Sequence, residues 1–382
     1  MGSPGVKRRI CYLTGTRADF GGVEQTLRLA AADPRLSLSL CVTGMHLSRR
    51  FGMTVKHVRN TGIPILAEIP VNLGRGGGAA MSRALGELVV ACTGLFAKRR
   101  LDGIFLHGDR GEMLAAAIAA IHLNIPIFHL HGGERTGTVD EPIRHAISKL
   151  SHYHFVSSRD ARRRLIRMGE RADRIFITGA PSLDRITELA VHDRATLCSK
   201  YGLDAKKAVA VVLFHGVLQE ADAAGSQMEA ILAAVVSEGY QVICLRPNAD
   251  AGSLDISRAI DRFERRGLIR TLVHAPREEY LSWLAATDVL VGNSSSGVVE
   301  AASFQLPAVN VGSRQNGRLR SGNVVDCKPE EKAISAALRE ARNLSALRFR
   351  NLYGDGQAGG RIVECLASLP LGPDVLAKLN TY

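Results

Sequence analysis

Short β-rich runs alternate with longer helical stretches along this chain, and the alternation restarts about halfway along its 382 residues. Such alternation produces βαβ units and parallel sheets. Strands are predicted at 10–14, 36–42, 103–106, 127–130, 154–156 and 174–178, and again at 209–214, 241–245, 269–273, 289–291 and 308–311. Gly179-Ala180-Pro181 separates the two series. The sequence therefore predicts an α/β fold with two Rossmann-like domains, 1–178 and 179–382, a cleft between them, and a terminal helix that can pack back on the first.

The charge balance is basic. The chain has 49 Lys and Arg residues against 37 Asp and Glu residues, which gives a formal net charge of +12. Such an excess suits either nucleic-acid binding or arginines that attract a phosphorylated small molecule. The basic residues are dispersed, and no zinc-finger, RNP or basic-zipper pattern occurs. We therefore expect a phosphorylated small-molecule substrate and no nucleic-acid partner.

The seven cysteines are widely spaced and form no CxxC pair. This pattern predicts reduced thiols rather than a disulfide framework or a zinc site. The first nine residues are too short and polar for a signal peptide, and Gly, Arg or Asp interrupts the most apolar stretches before they reach membrane-spanning length. We expect a cytoplasmic protein with no membrane association, no metal and no cofactor.

Functional residues of open parallel sheets gather at the carboxyl ends of the strands. After the first predicted strand the sequence reads GTRADFGG, where Arg17 can bind a phosphate and the glycines let the backbone approach a ligand. An ordinary strand-to-helix turn without a ligand can have a similar sequence. The absence of a third spaced glycine disfavours a dinucleotide site. A later strand is followed by HGDRGE, which offers Asp109 and Arg110 either as site residues or as a structural ion pair.

The stretch 129–145 is the richest in titratable groups. It contains His131, Glu134, Asp140 and Glu141 beside two arginines. Such a density is costly inside a core and is typical of a catalytic site. Because Asp140 and Glu141 precede a helical pattern, one of them can instead serve as an N-cap or first-turn acid.

Two features of the second half complete the candidate set. His215 follows the apolar run 209–214, a position that a purely structural histidine also occupies. The segment GNSSSG (292–297) places Ser294 and Ser295 at a predicted helix start, where hydroxyls and backbone N–H groups can bind an anion. Glu300 follows about one turn later and can accept hydrogen bonds from ribose hydroxyls. The pattern fits a diphosphate with a sugar attached.

Taken together, these loops resemble the UDP-N-acetylglucosamine 2-epimerase family, and specifically its hydrolysing branch. The matching segments are TGTRAD (14–19), VTGMH (42–46), GDRGE (108–112), HGGERTG (131–137), DEPIRHAISKLSHYH (140–154), GNSSSG (292–297) and GSRQNGR (312–318). They occur in order over most of the chain. Any one of them is weak evidence, but jointly they are highly specific.

The resemblance implies the glycosyltransferase-B architecture, in which two Rossmann-like domains close over a UDP-sugar, and a homodimer or homotetramer. It implies catalytic carboxylates at Asp109, Asp140 and Glu141 and places His215 near the diphosphate. The nucleotide contacts that it implies are Arg17, Arg110, Asn248, Ser294, Ser295, Glu300 and Arg314.

Position 131 departs from the family pattern. Many members read HxEGGE where this chain has HLHGGE (129–134), so proton transfer falls to either His131 or Glu134. The implied reaction converts UDP-N-acetylglucosamine and water to N-acetylmannosamine and UDP through a glycal, and it needs two opposed proton-transfer groups. The alternatives are a non-hydrolysing 2-epimerase, the same reaction on a modified nucleotide-linked amino sugar, a glycosyltransferase, or a non-catalytic nucleotide-sugar sensor.

Overall fold

The chain forms two compact units. The structure is a computed structural model that describes residues 7–72, 78–136, 140–247, 251–272 and 275–381. The first unit comprises the described residues up to Glu134, those from 140 to Asp184, and those from Tyr353 onward. The second comprises Arg185–Leu352 together with Arg135 and Thr136. The chain thus divides a few residues after the predicted boundary at 178/179, and its final segment belongs to the first unit.

The first unit contains a seven-stranded sheet in which all neighbours are parallel, in the order β3-β2-β1-β4-β5-β6-β7. The strands are β1 (Arg8–Thr14), β2 (Leu36–Thr43), β3 (Ile65–Ile69), β4 (Gly103–His107), β5 (Ile127–Leu130), β6 (Tyr153–Val156) and β7 (Ile175–Ile177). Its helices are α1 (Arg17–Gly21), α2 (Glu24–Ala32), α3 (Val55–Asn60), α4 (Gly78–Ala97), α5 (Gly111–His122), α6 (Asp140–Leu150) and α7 (Arg159–Arg167).

Helices cover both faces of this sheet, which explains why its central strands are apolar without interruption. One core contains Leu27 of α2 and Ile362 of the helix Ala358–Ser368, and the other contains Leu88 of α4 and Met113 of α5. Parallel pairing of all seven strands brings their carboxyl ends to one edge, where the candidate residues of this unit lie.

The second unit contains a six-stranded parallel sheet in the order β10-β9-β8-β11-β12-β13, which is the doubly wound order of a Rossmann fold. Its strands are β8 (Val209–Leu213), β9 (Gln241–Leu245), β10 (Arg270–Leu272), β11 (Val289–Gly292), β12 (Ala308–Val311) and β13 (Val324–Cys327). The helices after residue 185 are α8 (Arg194–Tyr201), α9 (Ala224–Ser237), α10 (Ser253–Arg265), α11 (Arg277–Ala286), α12 (Ser295–Val299) and α13 (Glu331–Leu344), followed by α14 (Ala358–Ser368) and α15 (Pro373–Leu376) of the first unit. The predicted α/β class with two Rossmann-like sheets is confirmed.

Helix α4 corrects one expectation. Its 20 residues are long and apolar enough to cross a membrane by length and composition, so the expectation that no apolar stretch reaches that length is wrong here. Ala84, Leu88, Cys92 and Phe96 of α4 are buried in the first unit. The helix therefore contributes one face to the core of an α/β sheet.

Candidate active site

The turn after β1 is organised around the buried carboxylate of Asp19. Its oxygens accept hydrogen bonds from the Thr14 hydroxyl, from the backbone N–H of Gly15 (3.1 Å) and from the backbone N–H of Thr16 (2.8 Å). Thr16 in turn caps α1 by accepting from the backbone N–H of Asp19. Burial raises the pKa of Asp19 despite these donors. The segment TGTRAD is thus a self-bonded turn that presents Arg17, an exposed residue, at the start of α1.

An acid–arginine–histidine cluster occupies the carboxyl ends of β4 and β5. The Arg144 side chain, 2% exposed, binds the Asp109 carboxylate through Nη2 and donates through Nη1 to the backbone oxygen of His131 (3.0 Å). The same Nη1 lies 3.9 Å from Glu134 Oε2. Glu134 is buried, and Ser157 donates its hydroxyl proton to Glu134 Oε1 (2.5 Å). The structure therefore brings the predicted residues Asp109, His131 and Glu134 together around one guanidinium.

Two histidine rings meet beside this cluster. His107 Nε2 lies 3.3 Å from His131 Nδ1, and the rings meet edge to face with centroids 4.9 Å apart. Burial lowers the pKa of His107, which favours the neutral ring. His131 has a backbone φ of +64°, which is the left-handed region that residues other than glycine rarely adopt. Such a conformation in a polar cluster is typical of a functional site.

The remaining predicted residues of the first unit lie on helix starts at the same edge. Asp140 and Glu141 are in the first turn of α6, where acids interact favourably with the helix dipole. Glu141 Oε1 lies 3.6 Å from His145 Nε2. Arg110 is the N-cap of α5, and its Nε lies 3.3 Å from Glu112 Oε2. Since α6 also supplies Arg144, the two acids and the central arginine share one rigid element.

The second unit builds its candidate site around Asn293. This buried side chain accepts a hydrogen bond from the backbone N–H of His215 (2.8 Å) and donates to the backbone oxygen of His215 (2.8 Å). Gly292, at φ +137°, precedes it, and a Cβ there would lie 2.0 Å from the Leu213 oxygen. Only glycine fits that position. The end of β8 and the end of β11 are thereby fixed against each other, and His215 is held at this edge.

The anion-binding residues predicted in the second unit fall on the same edge. Ser294 is the N-cap of α12 and Ser295 its first residue, while Arg314 Nη1 donates to the backbone oxygen of Asn293 (3.2 Å). Glu300 accepts hydrogen bonds from Arg277 Nη2 (2.6 Å) and from the Ser296 hydroxyl. A ribose hydroxyl that donates to Glu300 would therefore share the carboxylate with these two donors. The predicted contact Asn248 lies outside the described residues.

Sequence reasoning did not single out four residues that organise these sites, namely Asp19, His107, Arg144 and Asn293. Asp19, His107 and Asn293 stand inside the candidate loops, and Arg144 was counted among the titratable residues of 129–145, but the partners of these side chains were not predicted. In the described ranges, no group of three or more His, Cys, Asp or Glu side chains is arranged to hold a metal ion. All seven cysteines lie in these ranges and are free thiols, five of them buried.

Fold and site together define an α/β enzyme with two Rossmann-like units, the class to which nucleotide-sugar enzymes belong. The particular family follows from the sequence: residues 28–367 match the UDP-N-acetylglucosamine 2-epimerase family, and the chain belongs to it. The resemblance found in the motifs is therefore confirmed.

Several characterised relatives are similar over most of their length. The chain is 45% identical over 375 residues to the UDP-N,N'-diacetylbacillosamine 2-epimerase (hydrolyzing) of Legionella pneumophila. This alignment covers 98% of this chain and 100% of that protein. It is 32% identical to the UDP-N-acetylglucosamine 2-epimerase of Neisseria meningitidis, with 91% of each chain covered. It is 30% identical to the GDP/UDP-N,N'-diacetylbacillosamine 2-epimerase (hydrolyzing) of Campylobacter jejuni, with 84% of each covered.

Solved structures share the fold at low sequence identity. The UDP-GlcNAc 2-epimerase from Neisseria meningitidis, bound to UDP-GlcNAc, aligns with a TM-score of 0.78 at 16% identity and covers 94% of this chain and 99% of that one. The UDP-GlcNAc 2-epimerase of Methanocaldococcus jannaschii, in complex with UDP-GlcNAc and UDP, has a TM-score of 0.78 at 17% identity over the same shares. These likenesses establish the architecture.

Proposed function

We propose that this chain is a hydrolysing 2-epimerase of a UDP-linked 2,4-diacetamido sugar of the N,N'-diacetylbacillosamine type. The observation that carries the proposal is the 45% identity, over the full length of both chains, to a relative that bears that name. A second relative of the same activity supports it at 30% identity. The modified amino sugar, which the motif analysis kept as an alternative, thus becomes the first choice. UDP-N-acetylglucosamine is the second candidate because the Neisseria meningitidis relative bears that name at 32% identity.

The proposed reaction has two halves. A base removes the proton at C2 while the C1–O bond to UDP breaks, so that a C1=C2 double bond forms and UDP leaves with the bonding electrons. Water then adds to C1, and C2 receives a proton on the opposite face. The products are UDP and the free sugar with inverted configuration at C2. Because one proton is removed and another is added on the other face, the site needs two proton-transfer groups.

The first unit offers the groups for proton transfer. His131 and Asp109 lie at neighbouring strand ends and are both held by Arg144. Glu134 is buried and already accepts from Ser157, which suits a residue that fixes Arg144 better than one that exchanges protons with a substrate. We therefore give the role of the missing family acid to His131, with Asp109, Asp140 and Glu141 as the candidates for the second group.

The second unit offers the groups for UDP. Departure of a diphosphate requires donors and cations where negative charge develops. Ser294, Ser295 and Arg314 lie around the Asn293–His215 pair, at the carboxyl edge where parallel sheets bind ligands. In the first unit, Arg17 and Arg110 are the proposed nucleotide contacts. No divalent metal is part of the proposal, since cationic side chains can stabilise the departing charge.

Parallel assays with the two UDP-sugars test the substrate. Each is incubated with the enzyme, UDP release is followed by chromatography, and the sugar product is identified by NMR. We expect kcat/KM to be at least about tenfold higher for the diacetamido sugar, because buried polar groups that meet a substrate amide reject an analogue lacking it. A higher kcat/KM for UDP-N-acetylglucosamine would make that sugar the preferred substrate and contradict the proposal. Accumulation of an epimeric UDP-sugar without free sugar would replace both with the non-hydrolysing reaction.

We further propose a cytoplasmic homo-oligomer, dimer or tetramer, without a nucleic-acid partner. The proposal rests on the family resemblance, and the apolar side chain of Val90 in α4 is exposed in the first unit. Light scattering after size exclusion tests the oligomer, and a mass near the 41.1 kDa of one chain would contradict it.

A further inference from the structure

Two neighbouring strands place a pair of histidine rings in direct contact. His107 is the last residue of β4, and its register partner Leu130 ends β5, one residue before His131. The closest nitrogens are His107 Nε2 and His131 Nδ1, which are 3.3 Å apart. A hydrogen bond between two imidazoles requires one nitrogen that carries a proton and one that does not. The contact therefore links the tautomer of one ring to the tautomer of the other.

The backbone decides which nitrogen of His107 carries the proton. His107 Nδ1 lies 3.1 Å from the carbonyl oxygen of Asp19, and a carbonyl oxygen can only accept. The proton of His107 must therefore be on Nδ1. The Tyr12 hydroxyl also donates to this oxygen (3.0 Å), and Asp19 belongs to the self-bonded turn after β1, so the acceptor is fixed in place.

The tautomer of His107 in turn determines the tautomer of His131. Burial lowers the pKa of His107 and so favours its neutral form, although the carboxylates of Asp19 and Asp109 that face it act in the opposite direction. A neutral ring with its proton on Nδ1 has a lone pair on Nε2. His131 Nδ1 must carry the proton that this lone pair accepts. In neutral His131 the nitrogen without a proton is consequently Nε2.

The backbone of His131 holds the ring against its partner. The His131 N–H donates to Phe155 O (2.8 Å), and Arg144 donates to the His131 oxygen (3.0 Å). These bonds retain the left-handed φ of +64°. A conformation of this kind costs on the order of 1–3 kcal/mol and persists only where surrounding bonds impose it. These bonds thus hold the backbone from which the ring projects, and the contact with His107 holds the ring itself.

We infer that His107 is a positioning residue that fixes His131 in the Nδ1–H tautomer, so that Nε2, which is buried in the ligand-free structure, is the His131 nitrogen that can take up a proton. Protonation of Nε2 leaves the Nδ1–H bond to His107 unchanged, so the ring can take a proton and return it without rotating. The inference rests on the proposed function for the step that His131 performs, but the tautomer itself is a property of the protein without substrate.

Nitrogen-15 NMR of the ligand-free protein with labelled histidine rings tests the tautomer directly. His131 is identified among the 12 histidines by the resonance that disappears in His131→Asn. We expect His131 Nδ1 to resonate as a protonated nitrogen and Nε2 as an unprotonated one above the pKa of the ring. The reverse pattern would overturn the inference whether or not either UDP-sugar is a substrate.

Two variants of His107 separate positioning from packing. His107→Gln places an amide at the height of the ring's Nε2, where its oxygen can accept from His131, whereas His107→Phe keeps the ring shape and has no acceptor. We expect His107→Phe to lower kcat by about 10²-fold, the lower end of what a positioned acid–base group contributes, and to shift the pH profile of kcat. His107→Gln should recover part of the rate, and KM should change little in either variant. Equal kcat for the two variants, with an unchanged pH profile, would overturn the positioning role.

Discussion

Arg144 binds Asp109 with one guanidinium nitrogen and the backbone of His131 with the other. The first partner follows β4 and the second follows β5, so a single buried side chain of α6 ties two adjacent strand ends together. The planar guanidinium does this with two nitrogens at fixed, separate positions, whereas an ammonium group has only one nitrogen. The proposed proton-transfer groups therefore depend on a residue that itself exchanges no proton.

We predict that Arg144→Lys keeps the charge but lowers kcat by about 10²-fold, because a single nitrogen cannot reproduce the two separate donor positions of the guanidinium. Arg144→Met should in addition lower the free energy of unfolding by about 2 to 3 kcal/mol, since it leaves the Asp109 carboxylate without its partner. Steady-state kinetics and urea unfolding measure the two effects. A lysine variant with wild-type kcat would show that the fork is dispensable.

The end of β11 tolerates no side chain at Gly292. We predict that Gly292→Ala lowers the free energy of unfolding by at least about 3 kcal/mol, because its Cβ would meet the Leu213 oxygen at 2.0 Å in a backbone conformation that disfavours alanine. Gly94→Ala is the matched control: Gly94 lies within α4 with open space around its Cβ position, and alanine there should be neutral or stabilising. Similar stability losses in both variants would contradict the steric account.

Arg314 is predicted to bind UDP. Loss of one charge-assisted hydrogen bond costs about 1.5 to 3 kcal/mol, so Arg314→Ala should raise the Kd of UDP by roughly 10- to 100-fold while stability changes little. Calorimetric titration with UDP measures this. Arg348→Ala, which removes an exposed arginine of the same unit, controls for the change in net charge. Equal Kd values of UDP for the two variants would show that Arg314 does not contribute to UDP binding.

Acid should destabilise the fold over a defined pH range. Burial lowers the pKa of His46 and of His152 to about 4, below the ordinary value near 6.5. As the pH falls from 6.5 to 4, the unfolded chain takes up protons that the folded chain does not, so stability is retained above that range and lost within it. Each group contributes on the order of 3 kcal/mol when the shift is fully expressed.

Variants of two histidines check this prediction. His152 Nδ1 accepts from the backbone N–H of Ile127 (3.0 Å), and His152→Asn keeps an acceptor there but has no titrating ring. Urea unfolding between pH 7 and 4 should show a smaller loss of stability for this variant than for the wild type. His122→Asn, at an exposed ring, controls for the substitution itself. Below pH 4.5 a further loss is expected from Glu170, whose pKa is lowered to about 2 by His154 and two lysines despite its burial.

The strands that are buried on both faces could be predicted from the sequence, because their burial requires apolar residues along most of their length. Central strands such as β4 and β8 are covered on both faces and read as continuous apolar runs. The edge strands β3 and β13 were missed, because ILAEI and VVDC are only partly buried and carry weaker signals. The rule that parallel strands carry ligands at their carboxyl ends led to Asp109 and His131 without any structure.

Pairings between those loops could not be read from the sequence. The contact between His107 and His131 depends on the register of β4 with β5, and the Arg144–Asp109 bond depends on the rotation of α6. Asn293 holds His215 only because β8 and β11 are neighbours in the sheet, although 78 positions separate the two residues. Spacing along the chain contains none of this information.

Product analysis by NMR in deuterated water distinguishes hydrolysing epimerisation from the other reactions. With UDP-N,N'-diacetylbacillosamine as substrate, we expect UDP and a free diacetamido sugar of inverted configuration at C2 that carries deuterium at C2, because the proton removed by the enzyme is replaced from solvent. A product that keeps its original hydrogen and configuration at C2 would contradict epimerisation and point to simple hydrolysis or sugar transfer.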